Sequence, residues 1–113
     1  MAAIKTVGEK LGLKELTAIQ DKDRDVTDAY VCDLLSWVMA KGEPGSAWIT
    51  VQTHLNVVAV AALKEFSCII VPEGIEVPEA TVAKAQEEGI AVFSSDQNAY
   101  RICRALGSLG VGT

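Results

Sequence analysis

Two short runs decide the fold: Cys68-Ile69-Ile70-Val71 and Ile90-Ala91-Val92-Phe93. Both are continuous and apolar, with no polar alternation, which is the pattern of parallel strands covered on both faces. Between them, Pro78 stands where a helix begins and Gly89 where one stops. Residues 78–88 therefore read as the crossover helix of a strand–helix–strand unit.

The same order recurs on either side. Ala47 to Val51 (AWITV) reads as a strand. Thr53 then caps a helix from His54 to about Phe66 whose faces are nearly all apolar, so it is expected either at the centre of the fold or at an interface. Ala29 to Cys32 reads as a short strand, and Asp33 as the cap of a helix striped by Leu34, Leu35 and Val38. One longer helix capped by Thr27, with Val31 joining the stripe, is the alternative. Gly42 ends this helix and Pro44-Gly45 makes a type II turn. Beyond residue 93, Asp96 caps a last helix, where Ala99, Ile102, Cys103, Leu106 and Leu109 share a stripe. At the other end, residues 2–12 read as a helix stopped by Gly12. Leu13 to Ile19 alternates loosely, like a strand, and Gln20 to Asp25 (QDKDRD) reads as a solvated loop. The expected fold class is α/β: one three-layer α/β/α domain over residues 1–113, with a mostly parallel sheet of four to five short strands and right-handed crossovers.

Composition narrows the function. Of 113 residues, half are hydrophobic and 5% aromatic, so the core is aliphatic. Fifteen acidic and ten basic side chains give a net charge of −5. No basic patch stands out beyond the pair Arg101 and Arg104, so no nucleic-acid partner is expected. The apolar run Val57 to Leu63 falls far short of the ~20 residues that span a bilayer, and no membrane partner is expected. Cys32, Cys68 and Cys103 are odd in number, widely spaced and set in apolar runs. That argues against a zinc or redox motif and for a reducing, cytoplasmic location. Neither a metal nor a cofactor is expected.

Ligands of parallel sheets gather at the carboxyl ends of the strands. Those ends carry Asp33 with Ser36, then Thr50 to His54 with Thr53, then Gly74, then Ser94, Ser95 and Asp96. Hydroxyls, a glycine and helix N-termini on one edge suit a small anion, although parallel folds need caps and turns there in any case. His54 is the one histidine, and at a helix N-terminus its ring is expected to stay neutral and hydrogen-bond. No phosphate loop, dinucleotide fingerprint, nucleophile elbow or HExxH motif occurs. A small enzyme would need His54 within hydrogen-bond reach of Asp33 or Ser95.

The run Val26 to Ser36 (VTDAYVCDLLS), the run Trp48 to Ala61 (WITVQTHLNVVAVA) and the strand Cys68 to Val71 resemble DRTGG-type domains over about residues 13–111. The literal Asp-Arg-Thr-Gly-Gly string is absent. The resemblance implies an α/β/α domain similar to the N-terminal domain of HPr kinase/phosphorylase. It also implies a regulatory or assembly role, often through dimerisation, without the kinase chemistry of a phosphate-loop domain. The positions it carries over are Asp33, Ser36, Thr50, His54 and Asn56. Two roles are therefore expected. One is a non-catalytic regulatory or scaffold domain acting as a homodimer and through a partner protein or enzyme. The other is a sensor binding a small phosphorylated or nucleotide ligand at the strand edge.

Overall fold

The computed structural model describes residues 1–113. The strands are β1 (Ala2–Ala3), β2 (Lys14–Glu15), β3 (Asp25–Val26), β4 (Asp28–Val31), β5 (Ser46–Ile49), β6 (Cys68–Val71) and β7 (Ala91–Ser94). The helices are α1 (Ile4–Lys10), α2 (Leu35–Lys41), α3 (Asn56–Leu63), α4 (Glu79–Glu88) and α5 (Ala99–Ser108). Five strands form one sheet in the order β2-β7-β6-β5-β4, and β1 pairs with β3 in a separate ribbon. β4, β5, β6 and β7 run parallel, and β2 is antiparallel to β7. This is the expected three-layer α/β/α architecture.

Alternation along the strands builds two cores, because successive strand side chains point to opposite faces. Ala47, Ile49, Cys68, Ile70, Ala91 and Phe93 meet α1 and α5 through Ile4, Val7, Ile102 and Leu106. Trp48, Ile69, Val71 and Val92 meet α2, α3 and α4 through Val38, Val57, Val58, Val60, Ala61 and Ala85. Trp48 is fully buried, packs edge-on against Phe66 with ring centroids 5.6 Å apart, and donates its indole N–H to the Cys32 carbonyl at 2.8 Å. Burying one Val, Leu or Ile side chain in these cores stabilises by about 1.5–3 kcal/mol.

The strand expected at Ala29 to Cys32 forms, shifted by one residue to Asp28–Val31, and the longer helix does not. Other expectations are corrected. α3 stops at Leu63 rather than near Phe66, because Glu65 turns left-handed at φ 57. The Phe66 N–H then returns to the Ala61 carbonyl in a Schellman closure that seats the Phe66 ring in the core. The all-round apolar character of α3 is only partly buried: Leu55, Ala59 and Leu63 stay exposed, one turn apart. In α2, Leu34 is the exposed N-cap and not part of a buried stripe. The 13–19 segment pairs only at Lys14–Glu15. The polar 20–25 loop is anchored at its end: Asp25 lies in β3, and the Arg24 guanidinium donates to the Glu65 carbonyl.

The sheet ends on β2, a two-residue exposed strand, and on β4. Beyond the β2 pairing, the buried Thr17 hydroxyl accepts the Val92 N–H of β7 at 3.0 Å. On β4, the Asp28 carboxylate accepts the Ala29 N–H at 2.8 Å, and the Gly112 N–H donates to the Thr27 carbonyl at 3.0 Å.

Candidate functional site

The carboxyl ends of β4 to β7 lie side by side, so the sheet brings the sequence-predicted residues onto one edge. They separate into two groups. At the β4/β5 end, the Asp33 carboxylate accepts the Thr50 hydroxyl at 2.8 Å and the Val51 N–H at 3.0 Å. Thr50 is buried, and its oxygen accepts the Gln52 N–H at 3.1 Å. The Gln52 amide returns to the Asp33 carbonyl at 3.2 Å. Asp33 therefore ties the β4 and β5 loops together and does not cap α2, which has no side-chain cap. Ser36 is exposed on the first turn of α2 and takes no part in this network.

Thr53 does not cap α3 either. Leu55 holds the cap position, and the Thr53 carbonyl accepts the Thr81 hydroxyl at 2.7 Å. His54 is exposed and its Nδ1 accepts the Asn56 N–H at 3.1 Å. No hydrogen bond joins His54 to Asp33 or Ser95. Asn56 opens the helix with its side chain in solvent.

The second group lies where the connections part. Leaving β4, β5 and β6, the chain turns each time to the α2–α4 face, whereas after β7 it turns to the face of α1 and α5. Such a parting is where open sheets form their ligand crevice. Here the loops bond across it: the Glu73 N–H donates to the Gln97 carbonyl and the Gly74 N–H to the Ser95 carbonyl, both at 2.8 Å. Glu73 and Gly74 both lie in left-handed conformations, at φ 64 and φ 66. A Cβ on Gly74 would come within 3.1 Å of the Asp96 carboxylate. Asp96 does not cap α5; the Asn98 side chain does, accepting the Arg101 N–H at 2.9 Å.

Ser94 and Ser95 are successive residues and enter two different clefts. Ser94 and Asp96 line one of about 410 Å³, with Lys14, Leu16, Gly74 and Val77. Ser95 lines a smaller one of about 180 Å³ between α1 and α5. Gly74, Ser94, Ser95 and Asp96 thus reach open clefts, and Asp33 and Thr50 are engaged with each other. Sequence reasoning missed Gln52, Gln97 and Lys14. Lys14 arrives only through the antiparallel pairing of β2, which leaves no local signal.

Burial and charge set the thiols apart. Desolvation pushes the Cys68 thiol up to about 12, with Arg24 opposing, and raises Cys103 less.

No family model and no curated protein matches the chain. A solved structure does: the CBS and DRTGG domains of the regulatory region of Clostridium perfringens pyrophosphatase, complexed with its activator diadenosine tetraphosphate. It superposes at a TM-score of 0.78 with 12% identity, over 93% of this chain and 46% of that one. The chain thus has a DRTGG-like fold and spans less than half of the structure it resembles. No helix is long and apolar enough to cross a membrane.

Proposed function

We propose that residues 1–113 act as one non-catalytic regulatory domain, akin to the N-terminal domain of HPr kinase/phosphorylase, that works in the cytoplasm by pairing with a second copy of itself and with a partner protein. One observation carries this reading. Of the eight large hydrophobic side chains left exposed, five (Val31, Leu34, Trp37, Val51 and Leu55) sit at the carboxyl ends of β4 and β5 and the starts of α2 and α3. Leu34 is 64% and Trp37 52% exposed, although their cluster adjoins a fully bonded polar network. Apolar surface concentrated in this way marks interaction sites. The Asp28 carboxylate on the Ala29 N–H takes one backbone donor of the β4 edge, which favours association through side chains over strand addition.

Light scattering at micromolar concentration tests it. The wild type is expected to be dimeric, and Leu34→Ser with Trp37→Ser monomeric. Monomer stability is expected to change by less than about 0.5 kcal/mol, because both side chains are surface groups. A wild type that stays monomeric and ignores candidate partners ends this reading.

A second reading, a sensor of a small anionic ligand, is favoured by the open clefts at the end of β7 and by a structural relative that was complexed with a nucleotide. Its ligand-binding set comprises Asp33, Ser36, Thr50, Thr53, His54, Asn56, Gly74, Ser94, Ser95 and Asp96, with Gly74, Ser94, Ser95 and Asp96 in the leading role. A ligand at a hundredfold excess over Kd stabilises by about 2.7 kcal/mol in a thermal-shift screen. If nucleotides, phosphosugars and acyl phosphates all leave the transition unmoved, the sensor reading fails.

A further inference from the structure

We propose that the groove between α1 and α5 binds the phosphate groups of a small phosphorylated ligand, with Lys10 and Arg101 as its cationic jaws and Arg104 extending it. This rests on the sensor reading and gives it a site and a ligand class.

The groove begins as the 180 Å³ cleft walled by Leu11, Leu13, Ile102 and Ala105, with Lys10, Arg101, Ser95 and Gln97 as its polar members. It continues past Arg101 as a shallower depression that shares Gln97, Arg101 and Ala105 and adds Arg104 and Ser108. No carboxylate lines either part. The other clefts differ: Glu9 and Glu15 line the one beside α1 and β2, Glu87 and Glu88 the one beside Ala18, and Glu76 and Asp96 the one beside Ser94. In a chain of net charge −5, three of ten cationic side chains thus gather where acidic ones are absent.

These cations have no partner of their own. The two ion pairs of the protein, Lys22–Glu15 and Lys84–Glu88, lie elsewhere. The side chains of Lys10, Arg101 and Arg104 make no hydrogen bond. Arg101 and Arg104 are three residues apart on one helix face, where like charges repel. Arg101 also occupies the first turn of α5, which holds no acidic residue, and a cation there opposes the helix dipole. Each of these placements is unfavourable alone and becomes favourable when an anion sits among them. Ser95 accepts the Gln97 N–H at 3.0 Å through its oxygen, which leaves its hydroxyl proton to donate. The Gln97 amide is unengaged. At about 180 Å³ the cleft admits a phosphate head and not a whole nucleotide, since pockets for ligands of that size run to roughly 300–1,000 Å³. The rest of the ligand lies along Arg101 and Arg104 or in solvent.

Isothermal titration and thermal shift with inorganic phosphate, tripolyphosphate and ATP test the site on the full chain. Tripolyphosphate and ATP are expected to bind more tightly than phosphate, and added salt to weaken both. Arg101→Gln and Lys10→Gln should each weaken tripolyphosphate by about tenfold or more, the usual scale for losing a charge-assisted bond. Lys84→Gln, far from the groove, should leave affinity unchanged. If the wild type binds none of the three, the proposal is overturned. If a ligand binds with an affinity that Arg101→Gln and Lys10→Gln do not alter, the sensor reading stands and this site is wrong.

Discussion

The carboxyl ends of β5 and β7 lie two strands apart in one sheet, yet they are finished in opposite ways. At β5, Asp33 and Thr50 consume each other's hydrogen-bonding capacity, and the surface around them is apolar. At β7, the polar side chains point outward into clefts, and only the backbone crosses between the loops. The cause is topological. The connections after β4 and β5 leave to one face, so their loops pack against each other. The connections after β6 and β7 leave to opposite faces and expose whatever lies between. A polar residue at a strand end therefore carries no functional meaning until the direction of its loop is known.

The largest expected effect comes from loosening the closed end at its root. Trp48→Ala removes a buried ring and the donor to the Cys32 carbonyl, and should cost about 3–5 kcal/mol in urea unfolding. Loss of under 1 kcal/mol would mean that the β4 end is held without it. Next comes Asp33→Ala, which strips the acceptor from a buried hydroxyl and from a backbone N–H. Asp33 is itself exposed, so about 1–2 kcal/mol is expected, together with faster labelling of the half-buried Cys32 thiol. Unchanged labelling would show that the two loops stay together unaided.

A reference lying at neither end sharpens the comparison. The Cys68 thiol is raised from 9.0 to about 12 by burial, so above pH 9 the unfolded chain gives up its proton while the folded chain keeps it. The unfolded state then binds fewer protons, and stability falls as pH rises through the window from 9 to 12, by up to about 1.4 kcal/mol per unit. Cys68→Ala should remove that part of the slope, and an identical slope in the variant would refute the assignment. The smallest effect is at the β7 end. Glu73→Gly relieves a left-handed glutamate and should stabilise by about 0.5–1 kcal/mol, measured as a raised denaturation midpoint. Destabilisation would show that the Glu73 side chain does more than tolerate its turn.

The parts of this fold that are legible in the sequence are those set by short-range pattern. Cys68 to Val71 is a strand at those limits, and Gly89 stops α4 at φ 71. The stripe Ala99, Ile102, Cys103, Leu106 and Leu109 does face the core. Where several polar residues compete for one cap, pattern fails. Asp33, Thr53 and Asp96 all read as caps, and each lies in a loop while Leu34, Leu55 and Asn98 hold the cap positions. Glu65 ended α3 without the glycine that signals such a stop. The candidate site fared likewise. Its strand-end residues share an edge, as a parallel sheet requires, but which of them open to solvent depends on the switch of face after β7. The basic groove joins residues about ninety positions apart, for which no local spacing gives a sign.

The shortness and charge of the sheet's edge strands have a consequence for how this chain behaves when concentrated. One edge strand, β2, is only two charged, exposed residues long, and on the other, β4, Asp28 takes the Ala29 N–H, so neither flank offers a long apolar row on which polypeptides zip into fibrils. If the exposed corner around Leu34 and Trp37 pairs with its own copy, that contact closes on itself after one partner is added. Crowding would then fill pairs and not lengthen filaments.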